Sequence, residues 1–222
     1  MEPSVRSFRP AASLTEQIAD HIADEIIRGR MIPGERIREL RVARALGVSR
    51  GSIREALLLL QRRHLIDMVP RRGAVVADLS RRQLDDLFEL LETLLGLVGR
   101  RMTELWDEED RERFEPALAV LEDAAARGDT QAWADAADEL LISALDLVRN
   151  QYLDAVIEAL LPVARRALYR IAELDPTVLD AGTRHWRALL DAFAAGDRQE
   201  MESLLACRFA GYRAALDRAV CH

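Results

Sequence analysis

The chain has 222 residues, half of them hydrophobic, and no apolar run long enough to span a bilayer, so a soluble protein of one large or two small domains is expected. Cys207 and Cys221 form no disulfide framework and Met1 to Ala12 lacks the apolar core of a signal peptide, which excludes the small secreted classes and makes a reducing cytoplasm the expected setting. The net charge of −7 argues against nucleic acid only if taken whole: residues 1–78 carry 14 Arg against 10 Asp and Glu, the remainder 17 against 28, as expected when only the first segment meets phosphates.

Residues 1–12 read as a mobile lead-in. Ser13 with Glu16 makes a capping-box pattern and opens a helix whose Ile18, Ile22, Ile26 and Ile27 recur at helical spacing until Gly29. Pro33-Gly34 signals a turn. Ile37 to Leu46 predicts a second, short helix, with Ile37, Leu40, Ala43 and Leu46 as its apolar face and Arg38, Arg41 and Arg44 outward. Gly47 suits a backbone position with positive φ, and Ser49 suits the N-cap of a third helix that reaches about Arg63. Ile53, Ala56, Leu57 and Leu60 form the stripe that docks it, leaving Arg50 and Arg54 one turn apart on another face. Leu65 to Val69 and Ala74 to Ala77 are short β-rich runs around Pro70-Arg71-Arg72-Gly73, a hairpin signal.

Three helices and a basic-tipped hairpin make a winged helix-turn-helix over residues 13–78. Taken alone, the third helix fits a recognition helix and an ordinary surface helix with solvated arginines equally well. The flanks decide it: from Arg36 to Arg72 there are 10 Arg and 3 acids. Arg50 and Arg54 suit bidentate contacts to guanine, and Ser49, Gly51 and Ser52 at the helix start suit phosphates. Two such modules reading a near-palindrome imply a homodimer.

From residue 80 to 222 the pattern is helical throughout. A second capping box at Ser80 and Gln83 starts the first of six segments, broken at Gly128-Asp129-Thr130, Asn150, Asp175-Pro176 and Gly196-Asp197. Leu87, Phe88, Leu91, Leu94, Leu95 and Val98 give the first of them a broad apolar face. The fold class expected is therefore mainly α: a winged helix-turn-helix followed by a helical bundle. Four His and two Cys make no nucleophile–base–acid set, and there is no Gly-rich phosphate loop, so enzymatic chemistry is not expected.

Pro33-Gly34-Glu35-Arg36-Ile37, Glu39, Gly47-Val48-Ser49-Arg50 through Arg54-Glu55-Ala56-Leu57, and Arg72-Gly73-Ala74-Val75-Val76 together resemble the GntR family of bacterial transcription regulators. By that resemblance the DNA contacts fall on Arg38 or Arg41, Ser49, Arg50, Ser52, Arg54 and the wing's Arg72-Gly73. His64 departs from a usual glycine, although His tolerates the left-handed region. Leu58 and Leu59 replace a usual polar pair, as an apolar surface for the second domain.

The helical segment is similar to the FadR-like subgroup with its FCD-type domain, on Leu87-Phe88-Glu89-Leu90, Gly128-Asp129 with Trp133, Asn150-Gln151-Tyr152-Leu153, and His185 with Ala195-Gly196-Asp197. That resemblance implies an effector domain whose centre binds a small organic acid or fatty-acyl ligand and shifts DNA affinity. It also implies a divalent metal held by one Asp and three His. The corresponding positions are Ala137, Leu141, His185 and Cys207, with Asp138 one residue off and turned about 100° around the helix. Two aliphatic positions leave too few ligands, so no metal cofactor is expected and His185 reads as a hydrogen-bonded core or pocket histidine. Leu91 and Leu95 stand where the family usually carries an Arg and a Glu. An apolar cavity bounded by Leu91, Leu95, Leu141, His185 and Cys207 is the expectation, with Arg165, Arg166, Tyr169 and Arg170 either orienting an anionic or phenolic end or lying on the surface. The function expected is a ligand-responsive repressor of a near-palindromic operator; the alternative is a DNA-organising protein whose helical domain only dimerises.

Overall fold

The computed structural model describes residues 13–220; the expected lead-in at residues 1–12 and Cys221 lie outside them. The described chain divides into two compact units at Asp78/Leu79.

The first unit has three helices, α1 (Leu14–Ile27), α2 (Glu39–Leu46) and α3 (Arg50–Arg62), then a hairpin of β1 (Ile66–Val69) and β2 (Gly73–Val76). Ser13 and Glu16 close a capping box at the start of α1. Ile18, Ile22 and Ile26 from α1 meet Ile53, Leu57 and Leu60 from α3 in a core that Leu65, Ile66 and Val76 complete. Leu59 packs against this same core while Leu58 stays 53% exposed, so the expected apolar pair divides between an interior and a surface role. A helical residue and its neighbour point about 100° apart, which is why the two cannot share one.

Two features of this unit differ from the sequence reading. The second helix starts at Glu39, because Ile37 donates its N–H to Ala74 O at 2.9 Å and Arg36 bridges Val75, laying residues 34–37 along β2. Leu40, expected on its apolar face, is 47% exposed. His64 takes the left-handed conformation at φ 55°, as its glycine-like position requires.

The second unit is six helices: α4 (Arg81–Leu105), α5 (Asp110–Arg127), α6 (Thr130–Val148), α7 (Gln151–Leu174), α8 (Val178–Ala194) and α9 (Arg198–Val220). Side-chain caps from Ser80, Asp129 and Asn150 start α4, α6 and α7. Trp133, Leu121, Leu140, Ile157 and Met201 are fully buried at its centre. The missing side chain of Gly182 leaves room for a ring: a Cβ there on α8 would come within 2.5 Å of the Trp133 ring on α6. Among the described residues no helix is long and apolar enough to cross a membrane.

Candidate nucleic-acid interface and ligand cavity

Gly47 ends α2 at φ 66°, a left-handed cap that an L side chain would strain, and turns the chain into α3. Ser49 then accepts the Ser52 N–H at 3.0 Å, and its hydroxyl lies 2.9 Å from that of Ser52. This fixes the first turn of α3, with Gly51 exposed beside it. A Cβ at Gly51 would meet only Ser49 Oγ at an ordinary 3.5 Å, so nothing inside the chain demands a glycine there.

Arg50 and Arg54 project from the same end of α3, with side chains 58% and 63% exposed. Both lean on one acceptor: Arg54 Nε donates to Glu39 Oε2 at 2.9 Å and Arg50 Nη2 lies 3.7 Å from the same oxygen. The sequence marked Glu39 only as part of the family motif and not as a partner of these arginines, since a partner fifteen residues away across a turn leaves no local signal. Arg36, Arg38, Arg41, Arg44, Arg71 and Arg72 have no ion pair among the described residues, so this unit exposes a set of uncompensated guanidinium groups.

At the wing, Arg72 donates its N–H to Val69 O at 3.1 Å across Pro70-Arg71. Pro at the second turn position and φ 64° at Arg71 follow the type II pattern, in which glycine usually takes the third position. Arg71 therefore holds a strained backbone at the tip beside Arg72 and Gly73.

In the second unit the helices line an apolar cavity of about 130 Å³ that is partly open. Leu91 and Leu95 of α4 and Leu141 of α6 line it as expected, together with Ala137. Of the four expected polar residues only Arg165 lines it. Arg166 is buried and partnered, Tyr169 is partnered, and neither lines this cavity or the one beside it. Arg170 is paired with Glu173 on the surface at 3.0 Å. Arg165 does line the cavity, but its charge is spent within the fold: Nε donates to Asp138 Oδ2 and Nη2 to Asp135 Oδ1, both at 2.6 Å. Burial pushes the Asp138 carboxyl up, against the pull of Arg165.

His185 and Cys207 line a second cavity of about 340 Å³, between α8 and α9, and Cys207 is exposed. One residue further on, a 100° turn of the helix, Arg208 lines both cavities, as does Tyr212. His185 has no partner for its buried Nε2, where a hydrogen-bonded histidine was expected. Burial, reinforced by the Arg208 charge, lowers its pKa to about 3.

These residues do not fit a divalent ion. Ala137 and Leu141 offer no donor atom, Asp138 is held by Arg165, and the fixed positive charge of Arg208 stands beside the one imidazole.

Comparison with known proteins places these features. Residues 14–76 match the model of the bacterial regulatory proteins of the gntR family, and residues 86–210 match the FCD domain. The chain is 28% identical over 203 residues, 90% of its own length and 87% of the relative's, to a Paenarthrobacter nicotinovorans protein described as "Probable D-xylose utilization operon transcriptional repressor". It is 30% identical to the HTH-type transcriptional regulator Mce2R of Mycobacterium tuberculosis, covering 83% of this chain and 84% of that one. The solved structure of Escherichia coli McbR/YncC, at 23% identity, shares the fold with a TM-score of 0.79 over 95% of this chain and all of that one. A basic winged helix ahead of an all-helical domain, matched in both parts and over nearly the whole length of its relatives, belongs to a DNA-binding transcriptional regulator: the chain is a member of the GntR family with an FCD domain.

Proposed function

We propose that this regulator is a cytoplasmic, ligand-responsive repressor that binds a near-palindromic operator as a homodimer. The observation that carries the reading is the exposed arginine face at the start of α3, held off the docking stripe and flanked by uncompensated arginines. Arg50 and Arg54 read guanines in the major groove, and Ser49, Ser52 and the first amides of α3 take phosphates. Gly51 lets a sugar–phosphate strand approach the helix closely. Arg38 and Arg41 track the backbone, and Arg72-Gly73 of the wing enters the minor groove.

The effector belongs in the 130 Å³ cavity of the second unit, whose Leu91, Leu95 and Leu141 walls favour a fairly apolar organic molecule. The cavity favours this over a purely architectural protein. The same residues support a regulator that works without a divalent ion. The dimer forms mainly through residues 80–222, where Tyr152 and Val156, four apart on α7, are 77% and 44% exposed.

The direct test is operator binding by the full chain with and without small apolar compounds that perturb the fluorescence of Trp133 and Trp186. A compound that binds the cavity should shift operator affinity several-fold, and binding with no such shift would contradict the regulatory role. Elemental analysis of untagged protein should return no stoichiometric zinc, nickel or manganese; a metal lost on His185→Ala would contradict the metal-free reading.

A further inference from the structure

Besides glycines, three of the described residues hold a positive φ: His64, Arg71 and Arg149. Arg71 sits at the tip of the wing. The turn from β1 to β2 has Pro70 and Arg71 at its two corners and is closed by the Arg72 N–H on Val69 O. At φ 64° the second corner suits glycine, or asparagine with its short local hydrogen bond. Arginine has neither advantage there. Nothing in the chain offsets the cost: the Arg71 side chain is exposed and has no hydrogen bond, ion pair or ring contact among the described residues. Asp67, the one acid of the hairpin, does not pair with it. Backbone strain kept beneath a side chain that touches nothing in its own chain points to a contact outside it.

The tip is also firmly carried. β1 and β2 pair without interruption from Ile66 opposite Val76 to Val69 opposite Gly73. Residues 34–37 support the other edge of β2: Gly34 N–H donates to Val76 O, Val76 N–H to Glu35 O and Ile37 N–H to Ala74 O, each at 2.9 Å. Ala74, Val75 and Val76 are buried below, and Pro70 fixes one torsion at the corner before Arg71. A backbone already ordered loses little freedom when it docks. Strands lie about 4.8 Å apart between their axes, so a whole hairpin is too wide for a minor groove of about 6 Å, whereas one arginine side chain fits. Base edges there are nearly uninformative, and an inserted arginine responds to groove width and negative potential, both most favourable over A·T runs.

We propose that Arg71 is a second specificity determinant of this regulator: it enters the minor groove next to the bases read by α3 and selects A·T pairs there through the shape and potential of the groove. The inference rests on the winged helix binding DNA as proposed above, and adds the part of the operator that α3 does not read.

The test is competition titration of the full chain with a duplex selected from random sequence, in which the pairs on each side of the α3-read bases are replaced in turn by A·T, G·C or I·C runs. On one side the A·T duplex should bind at least about fivefold tighter than the G·C duplex, the low end for one contacted pair. Inosine lacks the 2-amino group of guanine, so I·C shows the A·T pattern in the minor groove and should bind as A·T does. Arg71→Gly should bring the A·T duplex to the G·C level while its melting temperature stays equal or rises, since glycine accepts the turn. Arg71→Asn should act likewise and Arg71→Lys should keep part of the preference. A lowered melting temperature with all duplexes weakened alike would make Arg71 a structural residue and overturn the proposal. Equal affinity for A·T and G·C in the native chain, I·C binding as G·C does, or a preference that survives Arg71→Gly would overturn it too, leaving readout by α3 in place. A native chain that selects no duplex at all would overturn the DNA reading itself and this inference with it.

Discussion

Glu39 sits between the two arginines expected to read DNA, and its exposed ion pairs contribute at most about 1 kcal/mol each to stability. Their weight is in orientation: one carboxylate oxygen holds two long side chains that would otherwise sample many rotamers. Glu39→Gln should leave the melting temperature nearly unchanged, raise affinity for non-operator DNA, steepen the salt dependence and narrow the gap between operator and random sequence. Anisotropy titrations at several salt concentrations measure all of these together; an unchanged gap would show that Glu39 does not orient the pair. His185 offers a second residue-scale check. Its folded pKa of about 3 lies below the 6.5 of the free side chain, through burial first and the Arg208 charge second. The neutral form is therefore favoured in the folded state, so the stabilisation is complete above about pH 6.5 and is lost as pH falls toward 3, by up to ~1.4 kcal/mol per pH unit. Relative to the native chain, His185→Gln should lose less stability over that window in urea titrations, and parallel curves would show that the imidazole protonates freely. Neither Glu39 nor Arg208 was legible in the sequence as a partner. Their neighbours come from other turns and helices, and moving from Cys207 to Arg208 reverses which side chain meets the cavity.

Elements were far more legible than contacts. Ser13, Ser49 and Ser80 each announce a helix start through a local side-chain cap, Asp129 and Asn150 lie in marked breaks, and all five cap a helix. Such signals act within three residues, so a single chain displays them in full. The early start assigned to the second helix came from Ile37, which is apolar and buried for a different reason: it pairs with Ala74 of β2. Apolar periodicity reports burial and cannot tell a helix from a strand over so short a run. The seat of the Trp133 ring on α8 was equally hidden, because nothing local marks Gly182 as the floor beneath Trp133. Gly182→Ala should force that ring off its rotamer and destabilise the second unit by roughly 1–3 kcal/mol, read as a lower urea midpoint. A neutral Gly182→Ala would mean that α6 and α8 lie further apart.

At the scale of the whole molecule, the division into a basic and an acidic half was visible in charge alone and coincides with the two compact units. The arginine face of the first unit is the centre of the account. The most direct measurement is the affinity of the native chain, Arg50→Ala and Arg54→Ala for an operator obtained by selection from random duplexes, each set against a scrambled duplex at fixed salt. Both arginines lie off the α3 docking stripe, so both variants should keep the native circular dichroism spectrum. Each should lose about 1–3 kcal/mol of operator affinity, and the operator-to-scrambled ratio should fall by at least about fivefold. Folded variants that retain both the affinity and the ratio of the native chain would contradict the assignment of α3 as the element that reads DNA.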